Sequence, residues 1–374
     1  MSKKRILLMY ISENSGHHSA SLALERAFRY LSRDIELLNV NSFHYTNPIL
    51  EKIVNQAYMG LIKSRPEVWG YLYDNPKVVK RTQKLKESIH KYNSQKTKVL
   101  IDGFRPDAVV CTQAFPCGVV ADYKKTQNAE SLVLSGVLTD YAPHSYWMYD
   151  NVDAYFVPSP EIKEHFVLNG ISSDKVKITG IPINPKFKEV PDREKIAASH
   201  NLSLDIPTVL LMGGSQGIGP IKDLIKILNK SDIKLQIVAV CGSNKRLFGY
   251  MKRIAPHLNK KTVVFGYADN IHELMGISSV IITKPGGITI SEALAKGLPL
   301  LIVKPIPGQE QMNTTYLVRN KVAIKAERLQ DAAVFTKELL SNPQALKNLR
   351  ERAKQFSKPD SAMDIAKDIL ERIM

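Results

Sequence analysis

Short apolar runs that alternate with longer amphipathic segments are the feature that most restricts how this chain can fold. The run Arg5–Ile11 is followed by a helical pattern over Ser19–Leu31, and the same alternation begins again after Pro191. Such alternation predicts parallel β-sheets covered by helices on both faces. The strands predicted in this way are Arg5–Ile11, Glu36–Val40, Ala108–Cys111, Leu132–Leu138, Ala154–Val157, Thr208–Met212, Leu235–Val240, Thr262–Phe265, Val280–Thr283 and Leu300–Val303. We therefore expect an α/β fold with two Rossmann-like domains.

A proline-rich stretch from Ile181 to Pro191 is the natural connection between the two domains. The length of 374 residues suits two domains of ordinary size. We predict an N-terminal domain over residues 1–185 and a C-terminal domain over residues 186–356. The final segment, residues 357–374, carries an apolar helical stripe, so we expect it to pack back on the N-terminal domain.

The charge of the chain favours an anionic partner. Lys and Arg number 52 against 36 Asp and Glu, which gives a net charge of +16. Such an excess attracts nucleic acid, anionic membrane surfaces or phosphorylated substrates, although a solvated basic surface explains it equally well. The three cysteines show no metal-ligand or disulfide spacing, which favours the cytoplasm. The chain contains no apolar run of about 18 residues, so any membrane association is expected to be peripheral.

Residues 43–98 interrupt the alternation, because they contain no good strand. They are rich in aromatic and basic side chains, which suit the headgroup boundary of an anionic bilayer. The alternative is a solvated basic helix. The residues concerned are Tyr45, Tyr58, Trp69, Tyr71, Tyr73, Lys77, Lys80, Arg81, Lys84, Lys86, Lys91, Lys96 and Lys98.

The sharpest chemical signal follows the predicted strand Val280–Thr283, where the chain reads Lys284-Pro-Gly-Gly-Ile-Thr-Ile-Ser-Glu-Ala-Leu. Gly286 and Gly287 allow close backbone approach, and the N–H groups that open a helix suit a pyrophosphate. Glu292, in the first turns of that helix, is placed to accept ribose hydroxyls, and Thr289 is grouped with it as a donor-binding residue. The alternative is a glycine-rich turn followed by a solvated glutamate.

Two further turns are expected at the same sheet edge, where ligands bind in open α/β sheets. The sequence Gly213-Gly-Ser-Gln-Gly follows the strand Thr208–Met212 and offers a second anion-binding turn, although a lone glycine-rich turn is a weak motif. Amide and carboxylate groups after the strand Leu300–Val303 are suited to sugar hydroxyls. The remaining donor-binding candidates are Gly214, Ser215, Tyr267, which is placed to flank a base, Gln309, Glu310 and Asn313.

In the first half, the first strand leads into Ser15-Gly-His-His. His17 or His18 then lies at a helix N-terminus, where the dipole disfavours imidazolium and keeps the ring neutral near pH 7. We predict His17 as a general base, with Asp140 as a second catalytic residue that orients it. Gly16, His144 and Trp147 are candidates for binding the acceptor, although a buried tryptophan is more often a core residue.

No Asp-x-Asp sequence occurs in the chain. Transferases that hold a diphosphate through a metal usually carry one. We therefore expect neither a metal nor a cofactor, with helix ends and backbone amides stabilising the leaving group.

These residues together resemble the family of monogalactosyldiacylglycerol synthases and processive diacylglycerol glycosyltransferases, and more distantly the N-acetylglucosaminyltransferase of peptidoglycan precursor synthesis. The motifs follow one another along nearly the whole chain. They are Ser15-Gly-His-His, Thr139-Asp-Tyr with His144 and Trp147, Thr179-Gly-Ile-Pro-Ile-Asn-Pro-Lys-Phe, Gly213-Gly-Ser, Gly266-Tyr, Ile281-Ile-Thr-Lys-Pro-Gly-Gly, Ser291-Glu-Ala and Pro307-Gly-Gln-Glu.

The resemblance implies two Rossmann-like domains facing a cleft, which is the GT-B architecture. It implies a UDP-hexose on the C-terminal domain, a diacylglycerol or related lipid on the N-terminal domain, and inversion at the anomeric carbon. The enzyme would act at the cytoplasmic face of the membrane. The first loop reads Glu13-Asn14-Ser15 where the family is usually richer in glycine, and that departure concerns the acceptor.

Two alternatives remain open. A UDP-N-acetylglucosamine 2-epimerase or a lipid-linked peptidoglycan precursor transferase would share the architecture and the nucleotide-sugar. A non-catalytic module that binds nucleic acid is less favoured, because it gives the glycine turns and Glu292 no purpose and the chain carries no recognisable nucleic-acid-binding motif. We therefore expect no nucleic-acid partner.

Overall fold

The computed structural model describes residues 3–49, 51–53, 56, 60, 83–142 and 147–374, with the backbone alone for residues 83–93. They form two compact units. The first comprises Met1–Pro185, Pro307–Gln309 and Asp360–Met374, and the second comprises Lys186–Ile306 and Glu310–Pro359.

The first unit is built on a six-stranded parallel sheet. Its strands are β1 (Lys4–Tyr10), β2 (Ile35–Asn41), β3 (Ala108–Cys111), β4 (Val133–Val137), β5 (Ala154–Val157) and β6 (Val176–Ile178), in the order β2-β1-β3-β4-β5-β6. Its helices over the first 185 residues include α1 (Gly16–Leu31), α2 (Ser42–Thr46), α3 (Gln83–Phe104), α4 (Ala114–Gln127) and α5 (Pro160–Leu168).

The second unit repeats this plan. Its strands are β7 (Thr208–Met212), β8 (Gln236–Val240), β9 (Thr262–Phe265), β10 (Val280–Thr283), β11 (Leu300–Val303) and β12 (Ala323–Ala326), in the parallel order β12-β11-β10-β7-β8-β9. Its helices are α6 (Arg193–Ser199), α7 (Ile221–Lys230), α8 (Lys245–Ile254), α9 (Ile271–Ile277), α10 (Gly287–Ala295), α11 (Gln309–Arg319), α12 (Asp331–Ser341) and α13 (Pro343–Phe356).

Burial explains why the strands read as continuous apolar runs. In β1, Ile6, Leu7 and Leu8 are fully buried although successive side chains point to opposite faces of the sheet. A parallel sheet covered by helices on both faces needs apolar side chains in both directions. The predicted α/β class is therefore confirmed.

Two edge strands escaped the sequence analysis. β6 and β12 are only 3 and 4 residues long, and each contains a lysine. An edge strand has a neighbour on one side only, so its apolar signal is weak.

The last helix, α14 (Ser361–Ile373), belongs to the first unit although it ends the chain. It packs against α1, and Ile365, Ala366 and Ile369 are fully buried in the core beneath that helix. The Ser361 hydroxyl donates a hydrogen bond of 2.7 Å to the carbonyl of Ile181. Burial of this apolar stripe is what holds the segment in place.

Each sheet contains one point where the strand order reverses, between β1 and β3 and between β7 and β10. In the register of these pairs, Met9 lies beside Cys111 and Met212 lies beside Thr283. The loops that follow the paired strands therefore begin side by side. Ligands of open α/β sheets bind at the carboxyl ends of the strands at such a switch point.

Most of the residues named in the aromatic and basic insertion lie outside the part of the chain whose side chains the structure describes. Tyr58, Trp69, Tyr71, Tyr73, Lys77, Lys80 and Arg81 lie outside the described residues, and Lys84, Lys86 and Lys91 lie where α3 is described by backbone alone. Among the helices of the described residues, none is both long enough and apolar enough to cross a membrane.

Candidate active site

The loop after β1 presents His17 at the switch point of the first unit. Ser12 and Asn14 adopt the left-handed conformation, with φ of 65° and 56°. Ser15 then caps α1, because its hydroxyl oxygen accepts the N–H of His18 at 3.2 Å. This tight loop leaves His17 in the first turn of α1, directly after the exposed Gly16.

Two threonines surround His17. Its Nδ1 lies 2.8 Å from the carbonyl oxygen of Thr112 and 2.9 Å from the hydroxyl of Thr139. The Thr112 hydroxyl also donates to the carbonyl of His17 at 2.9 Å. His17 follows β1, Thr112 follows β3 and Thr139 lies just after β4. These three strands are neighbours in the sheet, which brings the three residues together.

Burial lowers the pKa of His17 below its ordinary value of 6.5, against a smaller opposing effect from the hydrogen bond to Thr112. The ring is therefore neutral near pH 7, as a general base requires. Burial also lowers the pKa of His18, against the opposing charges of Glu13 and Glu25. The His18 ring instead stacks on Tyr10, with 4.3 Å between ring centroids.

The other candidates of the first unit have different surroundings. Asp140 follows Thr139 and is partly buried. Trp147 is 7% exposed and packs in the core, where a side chain at Gly136 would meet its ring. Its role in acceptor binding stays a prediction, and His144 lies outside the described residues. Thr112 was missed, and its only available signal was its position after a predicted strand. Thr139 was quoted within its motif but given no role.

In the second unit, the glycine-rich loop after β7 is tightly folded. Gly214 and Gly217 have φ of +70° and +60°. A side chain at Gly217 would overlap the carbonyl of Cys241. The carbonyl of Ser215 accepts the N–H of Ser243 at 2.8 Å, which ties this loop to the one after β8.

The helix α10 begins beside that loop with no side-chain cap. Gly286 is its N-cap residue, with ordinary extended dihedrals of −71° and 135°. A Cβ atom added at Gly286 would have nothing within 4 Å, so the turn borders open space. Gly287 and Thr289 are buried in the first turn. A helix N-terminus without a capping side chain offers its N–H donors to an anion.

Lys284, the residue after β10, joins these turns to α11. Its Nζ lies 2.5 Å from Glu310 Oε1, and Glu310 Oε2 accepts the N–H of Ile306 at 2.9 Å. A Cβ at Gly214 would lie 3.4 Å from Lys284 Cε. The lysine and glutamate side chains are only 18% and 12% exposed. Lys284 was quoted within its motif but given no role, although its position directly after a predicted strand was a usable signal.

The remaining donor-site candidates have the following surroundings. Burial raises the pKa of Glu292 to about 8, so its carboxyl is largely neutral near pH 7. Asn313 is fully buried, and its Nδ2 donates to the carbonyl of Pro285 at 3.0 Å, which supports the Pro-Gly-Gly turn. Tyr267 is 56% exposed after β9. Gln309 begins α11.

The second switch point thus combines two glycine turns, an uncapped helix N-terminus and a lysine ammonium group. Backbone N–H nests and a nearby cation are suited to a diphosphate. The first switch point offers a neutral imidazole. The second unit can therefore bind a diphosphate, and the first unit can accept a proton.

Two family models match successive halves of the chain. Residues 17–183 match monogalactosyldiacylglycerol (MGDG) synthase, and residues 208–373 match the glycosyltransferase family 28 C-terminal domain. The processive diacylglycerol beta-glucosyltransferase of Bacillus subtilis (strain 168) is 31% identical over 372 residues, which covers 99% of this chain and 95% of that protein.

Solved structures agree on the fold. The MurG structure of Acinetobacter baumannii superimposes with a TM-score of 0.64 at 14% identity, covering 98% of this chain and 99% of that one. CalG4, the calicheamicin glycosyltransferase, gives a TM-score of 0.63 at 13% identity, covering 100% and 99%. At these identities the likeness concerns the fold, which is that of GT-B glycosyltransferases.

Near-complete coverage of a curated relative, together with both family matches, confirms the resemblance read from the motifs. The chain belongs to the glycosyltransferase family of monogalactosyldiacylglycerol synthases and processive diacylglycerol glycosyltransferases.

Proposed function

We propose that this protein transfers a hexose from a UDP-sugar to the hydroxyl group of diacylglycerol or a related lipid, with inversion at the anomeric carbon. The observation that carries the proposal is the pairing of glycine turns with Lys284 at the second switch point. The name of the Bacillus subtilis relative supports diacylglycerol as the acceptor. Glucose and galactose differ at one hydroxyl, and the pair Gln309-Glu310 is compatible with either.

In the proposed reaction, His17 removes the proton of the lipid hydroxyl. The hydroxyl oxygen forms a bond to the anomeric carbon from the face opposite UDP, and the bond from that carbon to the diphosphate oxygen breaks. The electron pair of the broken bond stays on UDP. The N–H groups at the start of α10, the turn at Gly214 and the ammonium of Lys284 stabilise this charge.

The other donor-site residues have positioning roles in this proposal. Glu292 binds the ribose hydroxyls, Tyr267 flanks the base, and Gln309 and Glu310 contact the hexose. Ser215, Thr289 and Asn313 complete the donor site. On the acceptor side, Gly16, Asp140, His144 and Trp147 shape the lipid site.

We further propose that the enzyme works peripherally at the cytoplasmic face of an anionic membrane and binds no nucleic acid. The net charge of +16 and the aromatic and basic residues of the segment 43–98 support this placement. Each cation close to an anionic surface contributes about 1 kcal/mol, so several together are sufficient for binding.

The activity is tested by incubating the purified protein with UDP-glucose, UDP-galactose or UDP-N-acetylglucosamine and diacylglycerol vesicles. We expect a hexosyl-diacylglycerol, identified by mass, with one equivalent of UDP released per sugar transferred. An epimerised nucleotide-sugar without glycolipid would show instead that the protein is a 2-epimerase.

Replacing His17 with alanine is expected to lower kcat by about 10²–10⁴-fold, the usual contribution of a general base. The affinity for UDP, measured by calorimetry, is expected to be unchanged because His17 belongs to the first unit. His18→Ala is the matched comparison in the same helical turn. Equal losses in the two variants, or near-normal turnover in His17→Ala, would contradict the assignment.

Gly286→Ala tests whether the diphosphate approaches the start of α10. A methyl group fits there without contacts and with allowed dihedrals, so the melting temperature is expected to stay the same. The Kd for UDP is expected to rise at least about tenfold, because the methyl group occupies the space that the diphosphate needs. Gly249→Ala, another position with nothing within 4 Å, is the control for UDP binding and should leave the Kd unchanged, while the melting temperature rises slightly because alanine favours the interior of α8. Unaltered UDP binding in Gly286→Ala would place the diphosphate elsewhere.

Glu292→Gln tests the buried carboxyl. Because the folded protein raises its pKa from 4.5 to about 8, ionisation of Glu292 destabilises the fold increasingly as the pH rises between those values. The glutamine variant should therefore have a higher free energy of unfolding than the wild type, by about 4 kcal/mol at pH 8, and nearly the same at pH 4.5.

The measurements are urea unfolding at both pH values and UDP calorimetry. We expect weaker UDP binding by Glu292→Gln at pH 8. A carboxylate can accept the two ribose hydroxyls with its two oxygens, whereas an amide has only one oxygen acceptor. Glu338→Gln, which replaces an exposed carboxyl, is the control. Unfolding curves that match the wild type at pH 8 would refute the buried state of Glu292, and wild-type UDP affinity would refute its ribose role.

A further inference from the structure

Within the part of the chain that the structure describes, the Nδ1 atom of His17 has two oxygen neighbours, and neither belongs to a carboxylate. They are the Thr112 carbonyl at 2.8 Å and the Thr139 hydroxyl at 2.9 Å. Histidine bases in many hydrolases are oriented by an aspartate or glutamate. Here the sequence analysis expected Asp140 in that role, whereas the hydroxyl beside the ring belongs to the residue before it.

The carbonyl contact determines where the ring proton lies. A carbonyl oxygen can only accept, so a separation of 2.8 Å from Nδ1 requires a hydrogen on that nitrogen. An unprotonated Nδ1 would face the carbonyl lone pairs directly. The neutral ring therefore carries its hydrogen on Nδ1, and Nε2 is left with the free lone pair. The Thr139 oxygen shares the same hydrogen as a second acceptor.

Thr112 and Thr139 are themselves firmly placed. Thr112 is fully buried, its N–H donates to the carbonyl of Met9 at 3.0 Å, and its hydroxyl donates to the carbonyl of His17. Thr139 is 5% exposed. Thr112 thus holds both the main chain and the ring of His17, while Thr139 contacts the ring from the next strand.

We propose that Thr139 is a positioning residue which, together with the Thr112 carbonyl, holds His17 in the Nδ1–H tautomer and presents Nε2 as the basic nitrogen. The proposal rests on the function proposed above, in which His17 removes the proton of the acceptor hydroxyl. It assigns Thr139 a role in a base whose Nδ1 contacts, among the described residues, are a carbonyl and a hydroxyl.

The absence of a carboxylate from this contact has a chemical consequence. When Nε2 takes a proton, the imidazolium is stabilised by two neutral oxygens, so it is a stronger acid than one paired with aspartate. The carboxylates nearest to His17 along the chain are Glu13 and Glu25, which act on His18, and Asp140 directly follows Thr139. Burial and the Thr112 carbonyl are the causes that shift the pKa of His17. The imidazole of His17 is thus neutral near pH 7, and its Nε2 can accept a proton.

Thr139→Val removes the hydroxyl while keeping the shape of the side chain. We expect kcat to fall about tenfold and KM for the UDP-sugar to stay the same. The acidic limb of kcat/KM against pH should move to lower pH, because the imidazolium loses one acceptor. Thr139→Ser, which retains the hydroxyl, should restore both kcat and the position of the limb.

Thr336→Val is the matched control, since it removes a fully buried hydroxyl that donates to the Ala332 carbonyl within α12 of the second unit. It should leave the pH profile unchanged. A Thr139→Val enzyme with wild-type kcat and an unshifted limb would overturn the proposal. A limb that moves equally in Thr336→Val would also overturn it.

The tautomer is read directly by long-range ¹H–¹⁵N NMR of the full chain labelled with ¹⁵N-histidine, where His17→Gln identifies one signal among nine histidines. We expect the neutral Nδ1–H pattern at pH 7, and an Nε2–H or doubly protonated ring would overturn the proposal even if Thr139→Val fails to fold. Conversely, an Nδ1–H ring in an enzyme that tolerates His17→Ala would refute the base and leave the tautomer assignment standing.

Discussion

Parallel pairing between strands that are not consecutive in the chain is the constraint on which both sites depend. Because β1 pairs with β3, and β7 with β10, the loops after these strands start side by side. Helices cannot occupy the space where the direction of crossover reverses, so the carboxyl ends remain accessible there. His17 and Thr112 meet at one such point, and the Gly213-Gly214 turn and Lys284 meet at the other. Residues about 70 to 100 positions apart thereby become neighbours.

Burial then determines the charge states of the residues at these points. In a low-dielectric surrounding an isolated charge is costly, so groups either become neutral or find a partner. His17 and Glu292 become neutral, because burial lowers the pKa of the histidine and raises the pKa of the glutamate. Lys284 instead has a charged partner, the carboxylate of Glu310. Removing Glu310 would leave a buried cation unpaired, which costs more than the pair itself contributes.

Local sequence patterns predicted the structure correctly where the tertiary structure requires the same residues that the pattern does. Strands buried on both faces read as unbroken apolar runs, and glycines before a helix mark a strand-to-helix turn whatever surrounds them. The patterns failed at β6 and β12, which are short edge strands with weak apolar signal. They also gave no role to Thr112 and Thr139, because threonines after strands are common. Their contact with His17 arises only because β3 pairs with β1 on one side and with β4 on the other.

By itself the sequence determined the α/β class, the two-unit plan, the glycine turns and the family to which the chain belongs, because all of these depend on local periodicity or on motif order. The tertiary structure alone decided which side chains meet. Strand register brings the Thr112 carbonyl and the Thr139 hydroxyl to one nitrogen of His17, and Lys284 to Glu310. A hydrogen bond depends on distances of a few tenths of an ångström between residues far apart in the chain, and no local pattern carries that information.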